Sequence, residues 1–315
     1  MRRPAELLAE LGLDPSLPQL DFERLQAFPL RVPRSFVARM RRGDPRDPLF
    51  LQVWPAAREA DRHGGFGRDP VGEWPQRAAG GVIRKYRGRA LVVTTGACAV
   101  HCRYCFRRHY PYGDPFGARG GWRATLTELA ADASLEEVIL SGGDPLSLDD
   151  DKLAALIHGL NAIPHLRRLR LHTRTAVVEP QRVGDRLLAV LAQSRLTRVV
   201  VLHTNHANEL DRSVAAACAG LRQVSCLLLN QSVLLADVND SVEALAALSQ
   251  ALCDLGVLPY YLHVMDKVAG AAHFEVDSTR AAWLMRGLAA CCPGYLVPRL
   301  VRERAGAAAK EWIGW

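Results

Sequence analysis

The sequence predicts an α/β fold, a TIM-like parallel barrel left incomplete and preceded by a helical extension. Three observations predict it. From Leu91 onward, apolar strand-like runs alternate with helical stretches; polar residues gather where those runs end; and the first 75 residues, rich in Pro, Arg and Asp, lack this rhythm. A chain of 315 residues fits one such catalytic unit with an extension. The expected divisions are a helical extension over 1–75, the barrel over 76–300 and a C-terminal tail over 301–315.

In the extension, Pro4 to Leu13 and Phe22 to Phe28 read as helical patches. Leu91-Val92-Val93-Thr94-Thr95 is a β-branched strand ending at Gly96, with a cysteine group directly after it. Glu137 to Leu140 is the next strand; it leads into Ser141-Gly142-Gly143-Asp144-Pro145, and Ser147 then opens a helix bearing Leu153, Leu156, Ile157 and Leu160. Leu169 to Thr173, Arg198 to His203, Ser225 to Gln231 and Leu258 to Val264 complete the strand candidates, with leucine-spaced helices between them. Strands that read as near-continuous apolar runs imply a parallel sheet covered by helices. Polar residues fall at the strand ends, from Cys98 onward, at Ser141 to Asp144, His172 to Arg174, His203 to Asn208, Asn230 to Ser232 and Asp266-Lys267. In a parallel barrel that edge carries the chemistry.

Composition narrows the class. Hydrophobic residues at 49% and charged residues at 23% are globular usage. No run approaches the roughly 18 apolar residues of a membrane span, and Met1-Arg2-Arg3-Pro4 opens no signal peptide, so a cytoplasmic protein is expected, with no membrane partner. The formal charge of +7 comes from scattered arginines without aromatic interleaving, which argues against direct nucleic-acid binding. Eight cysteines in a large chain without an export signal are expected to be free thiols or metal ligands. Cys218, Cys226, Cys253, Cys291 and Cys292 lie in apolar stretches and read as core residues.

Cys98, Cys102 and Cys105 form a C-x-x-x-C-x-x-C group. Four thiolates would saturate a 4Fe-4S cluster, so three leave one iron open to a chelating ligand. Such an iron suits the amino and carboxylate groups of S-adenosylmethionine, whose sulfonium the cluster's electron can cleave. Closely spaced cysteines also suit tetrahedral zinc, with His101 or a distant thiol as fourth ligand. A zinc-stabilised protein binding RNA or ribosomes is therefore the rival reading.

Cys98-Ala-Val-His-Cys102-Arg-Tyr-Cys105-Phe-Arg107-Arg108, Ser141-Gly-Gly-Asp-Pro-Leu146, His203-Thr-Asn-His-Ala-Asn-Glu209 and Asp266-Lys-Val-Ala-Gly-Ala-Ala-His-Phe274 resemble the lysine 2,3-aminomutase family. The match is closest to its short branch, the elongation factor P (R)-beta-lysine aminomutases. The resemblance implies a radical S-adenosylmethionine (radical SAM) enzyme with a partial (β/α)6 barrel and a second cofactor, pyridoxal 5'-phosphate. It implies movement of the α-amino group of L-lysine to the β-carbon, a cytoplasmic electron donor such as flavodoxin or ferredoxin, and a functional link to a lysyl-ligase for elongation factor P. It is compatible with a homodimer. A radical SAM aminomutase for another amino acid is the enzyme alternative.

Residue by residue, the resemblance assigns Cys98, Cys102 and Cys105 to the cluster, and Gly142, Gly143, Asp144, His203 and Gln231 to S-adenosylmethionine. Lys310 matches the lysine that carries pyridoxal 5'-phosphate, and Arg89 the basic residue near its phosphate. Arg107 is expected to clamp the substrate carboxylate, and Asp266 and Glu303 its distal ammonium. The sequence departs from family usage in the alanine-rich run before Lys310 and in Ser241, which stands where the longer enzymes have a zinc-binding cysteine. The structural zinc of those enzymes is not expected.

Overall fold

A computed structural model describes residues 1–17, 20, 28–76, 80–112 and 121–315, so the expected patch Phe22 to Phe28 falls outside it except for Phe28. Among the described residues nine strands form one sheet in sequence order: β1 (Val82–Tyr86), β2 (Arg89–Val93), β3 (Glu137–Ser141), β4 (Arg168–Thr173), β5 (Thr197–His203), β6 (Leu227–Leu234), β7 (Leu258–Val264), β8 (Arg299–Arg302) and β9 (Glu311–Trp312). Strands β2 to β8 run parallel. Hairpin partners β1 and β9 add one antiparallel strand at each edge, and the two edges do not pair, which leaves the barrel open. Seven parallel strands thus replace the six expected. The additional one, β8, has four residues, two of them arginines, too short and too charged to read as a strand.

The crossover helices start where short polar side chains can accept from free N–H groups. Asp149, Asp211, Ser241 and Asp277 cap α1 (Asp150–Asn161), α2 (Arg212–Gln223), α3 (Val242–Asp254) and α4 (Ser278–Cys291) respectively. Each such cap contributes about 1 kcal/mol. Ser147 is not the start of α1; it ends a 3-10 turn capped by Asp144. Ser241 spends its hydroxyl on the Ala244 N–H, a local use that needs no metal.

Strands β4 and β6 alternate rather than reading apolar throughout. In β4, Leu169, Leu171 and Thr173 are buried, while Arg168, Arg170 and His172 remain partly accessible. The buried set packs with Leu153, Leu156, Leu160 and Leu187 of the helices into the main core. Fully burying one such leucine contributes about 1.5 to 3 kcal/mol. Arg170 and His172 line a cavity instead, so this face of the sheet holds a site.

The extension has its own core, in which Leu7, Leu11, Phe36, Phe50 and Trp54 pack against Val100 of the cysteine loop and Val178 after β4. It is thus joined to the loops that carry the site. At the other end the boundary at 300 falls inside β8, and β9 pairs back on it through Val301↔Trp312 and Arg302↔Glu311. Residues 301–315 are an edge hairpin of the sheet, and that hairpin carries Glu303 and Lys310 inward. No helix among the described residues is long and apolar enough to cross a membrane.

Candidate active site

One cavity of about 500 Å³ opens at the C-terminal ends of the parallel strands, and all thirteen site residues expected from the sequence line it. Its walls differ in what they can bind.

The cysteine wall is a loop after β2. Burial raises the Cys98, Cys102 and Cys105 thiols, Cys105 to about 11. Thiolates at such sulfurs need adjacent positive charge, which iron supplies. Among the described residues no three His, Cys, Asp or Glu donors are arranged around a single ion. Three thiols on one short loop can each take a different iron of a cubane. The loop is pinned from the extension. Glu59 takes Arg103 Nε at 2.6 Å and Nη2 at 2.5 Å, and Arg108 Nη2 at 2.5 Å, with Arg103 fully buried between two cysteines.

Gly142 and Gly143 serve close packing. A Cβ on Gly142 would lie 2.5 Å from the Thr95 carbonyl oxygen, and one on Gly143 would lie 2.2 Å from that of Ala97, so only glycine lets the loop after β3 dock on the cysteine loop. Gly143 N and Asp144 N donate to Thr95 O at 2.6 Å and Ala97 O at 2.8 Å, sealing that contact. The Asp144 carboxylate accepts from Leu146 N, Thr173 Oγ1, Arg174 N and Thr175 N at 2.7 to 3.0 Å. Those bonds fix Asp144 in the cavity wall.

His203 lies across from the cysteines, its Nε2 2.9 Å from the Tyr104 hydroxyl, and that hydroxyl accepts from Asn205 Nδ2 at 2.7 Å. Burial holds His203 well below the usual histidine range, so it is neutral. Gln231 Nε2 reaches His172 Nδ1 at 3.5 Å.

The opposite wall holds the charges. Lys310 Nζ donates to Glu303 Oε2 and Lys85 Nζ to Glu303 Oε1. Burial works against ionisation of Glu303, but the two lysines hold its carboxyl well below the usual range. Asp266 behaves oppositely: burial first and the Glu303 charge second push it from 3.8 to about 7. Arg89 stacks 4.7 Å from the Tyr86 ring centre, and its Nε has no partner.

Arg107, expected to clamp the substrate carboxylate, lines the cavity with its guanidinium paired within the protein. Its Nε and Nη2 meet Glu73 at 2.7 and 2.9 Å, and its Nη1 donates to Ser141 Oγ at 2.8 Å and Gly142 O at 3.1 Å. The planar edge that would grip a carboxylate is filled by a buried internal one. Glu73 escaped the sequence reading because it lies in the Pro- and Arg-rich preface, away from any strand end. Lys85 escaped it because β1, Val82-Ile-Arg-Lys-Tyr86, mixes charge into a short strand.

Residues 92–214 match the model of the radical SAM superfamily. The L-lysine 2,3-aminomutase of Escherichia coli K12 is 48% identical over 98% of this chain and 90% of its own length. The chain belongs to the lysine 2,3-aminomutase family. The enzyme of that name from Haemophilus influenzae is likewise 48% identical, over 92% of this chain and 87% of its own. The one from Clostridium subterminale is 32% identical over 85% of this chain but 64% of its own. A radical SAM methyltransferase from Sphaerobacter thermophilus shares the fold at 16% identity, with a TM-score of 0.50 over 72% of this chain and 71% of its own. As a radical SAM member, this aminomutase-family chain takes a 4Fe-4S cluster and S-adenosylmethionine, and Cys98, Cys102 and Cys105 line the cavity together.

Proposed function

We propose that the protein is an L-lysine 2,3-aminomutase, an isomerase that moves the α-amino group of lysine to the β-carbon. The observation that carries this reading is that the three cysteines and Lys310 line one cavity although they lie some two hundred residues apart in the chain. When bound, the cluster and S-adenosylmethionine supply a carbon radical made by one-electron reduction, and pyridoxal 5'-phosphate supplies an aldehyde that holds an amine.

The chain's own residues provide the rest. Lys310 offers a primary amine at the cavity wall, and Arg89 stands by with an uncommitted Nε for the phosphate. Asp266 and Glu303 face the same space and accept the distal ammonium of lysine; a second carboxylate on the substrate, as in glutamate, would be repelled there. Gly142, Gly143, His203 and Gln231 border the cysteine wall where S-adenosylmethionine binds. An electron donor of the flavodoxin or ferredoxin type would reduce the cluster. From the resemblance to the short branch we also infer that β-lysine passes to a ligase acting on elongation factor P.

The test is anaerobic reconstitution with iron, sulfide, S-adenosylmethionine, pyridoxal 5'-phosphate and a reductant, followed by mass analysis of lysine and of glutamate. β-Lysine formation from lysine alone is expected. Turnover of glutamate, or of neither, overturns the reading.

A further inference from the structure

Tyr104 stands between Cys102 and Cys105 in the chain, and its side chain is buried. Its hydroxyl meets Asn205 Nδ2 at 2.7 Å, His203 Nε2 at 2.9 Å and Gln52 Oε1 at 3.2 Å. The two amides have fixed orientations. Gln52 Nε2 donates to Pro48 O at 3.0 Å and Glu209 Oε1 at 3.1 Å, which turns Oε1 toward the hydroxyl. Asn205 Oδ1 accepts from Val233 N at 2.8 Å, which leaves Nδ2 to donate. Gln52 Oε1 is already filled, because Arg174 Nη2 and Asn205 Nδ2 both reach it at 2.9 Å, nearer than the hydroxyl does. A carbonyl oxygen has two lone pairs, so the phenolic proton goes to the acceptor that remains, His203 Nε2. The Cys102 sulfur also lies beside the hydroxyl, but sulfur is a weak acceptor, and iron takes this one when the cluster is bound.

We propose that Tyr104 is a positioning residue for S-adenosylmethionine: its hydroxyl donates to His203 Nε2 and holds the ring as the Nδ1–H tautomer, so that the ring presents a donor to the cavity it lines. The tautomer decides what His203 can recognise. With the proton on Nδ1 the ring takes an acceptor atom of the ligand, such as a ribose oxygen or a ring nitrogen of adenine; with Nδ1 bare it would take a donor instead. The opposite tautomer would also set an N–H against the hydroxyl, whose own proton would then have only the filled Gln52 Oε1 to go to. The backbone under the ring is held as well, with Arg174 Nη1 donating to His203 O at 3.2 Å. Gln52 belongs to the N-terminal extension and is fully buried, so the extension fixes the proton of a cavity residue on β5.

The inference rests on the reading of His203 as a contact of S-adenosylmethionine, and the experiment separates the two. The cluster-loaded protein is titrated anaerobically with S-adenosylmethionine by calorimetry. The variants are His203→Leu, which removes both ring nitrogens, His203→Asn, whose amide nitrogen can stand where Nδ1 does and has no tautomers, Tyr104→Phe, and the last two combined. His203→Leu is expected to weaken binding by about 3- to 10-fold, the span of one hydrogen bond. Tyr104→Phe is expected to weaken it by a smaller factor, about 2 to 5, because the ring then divides between its tautomers and only one of them binds. In the His203→Asn background, Tyr104→Phe is expected to cost nothing further, whereas a hydroxyl that merely supports the wall would cost the same in both. Incorporation of 3-fluorotyrosine at position 104 keeps the ring and makes the phenol a stronger donor and a weaker acceptor; affinity is expected to be equal or tighter, and this variant carries the test should Tyr104→Phe fail to hold the cluster. No effect of Tyr104→Phe, an equal cost in both backgrounds, or weaker binding with 3-fluorotyrosine overturns the role of Tyr104. His203→Leu without effect overturns the reading of His203 instead.

Discussion

The cysteine wall and the Lys310 wall face the same cavity, yet their charges are arranged for different ends. On the cysteine side, Arg103 and Arg108 are locked by Glu59, Arg107 by Glu73, and Asp144 is filled by donors from three segments. These partners are buried, and the carboxylates of the first two come from the N-terminal extension. On the Lys310 side, Glu303 is shared between Lys85 of β1 and Lys310 just before β9, and Asp266 sits beside it with a raised pKa. The first arrangement holds a loop in one shape for a rigid cluster. In the second, partners can be exchanged: a substrate ammonium can replace a resident one once Lys310 is otherwise bound. On the proposed function, the extension therefore supports the cluster site, and the edge hairpin β8–β9 forms part of the substrate site.

The largest expected effect of separating the walls is at the cluster. Cys102→Ala is expected to abolish the visible iron-sulfur absorption while borohydride still fixes pyridoxal 5'-phosphate to Lys310, as read by peptide mapping. Lys310→Ala is the converse, losing the adduct while keeping reductive cleavage of S-adenosylmethionine. An adduct on Lys85, the neighbouring amine on Glu303, would reassign the cofactor lysine.

Stability sharpens the contrast. Glu59→Gln leaves buried Arg103 without its counter-charge, so denaturant unfolding is expected to show a loss of about 3 to 5 kcal/mol. Glu303→Gln is expected to cost less, about 1.5 to 3 kcal/mol, because Lys310 remains 20% exposed and Lys85 keeps Glu73 at 3.6 Å. Equal losses would mean that the two walls do not differ as described.

Asp266 gives a smaller, pH-dependent effect. Because its folded-state pKa lies above the unfolded value, its contribution to stability is complete below 3.8 and is lost as pH rises through about 7. Without lysine, the protein is expected to lose stability over that window, and Asp266→Asn to flatten the profile. Lysine affinity is expected to rise over the same window as the carboxylate ionises, with Asp266→Ala about 10-fold weaker than the parent near neutrality. A pH-independent affinity in the parent would remove Asp266 from the ammonium site.

The strand ends were legible because each parallel strand closes on a polar cluster, and every such cluster reaches the cavity rim. The cysteine spacing was legible because one short loop holds all three ligands. What the sequence hid was pairing across distance. Nothing local shows that Glu73 occupies Arg107, that Thr173 and Thr175 fill Asp144, or that Cys291, read as core, is exposed. His172 stood among the strand-end residues, but that its Nε2 is buried without a partner appears only once the sheet is folded. The short strands β1 and β8 were masked by their own arginines and lysine, which the sheet edges tolerate.

The central claim is that the cysteine wall and the Lys310 wall act on one lysine molecule. Lysine deuterated at its β-carbon can be turned over by the reconstituted enzyme and the S-adenosylmethionine recovered for mass analysis. Deuterium in that recovered S-adenosylmethionine, accompanied by β-lysine, is the predicted result; β-lysine formed with no deuterium reaching S-adenosylmethionine would contradict the account.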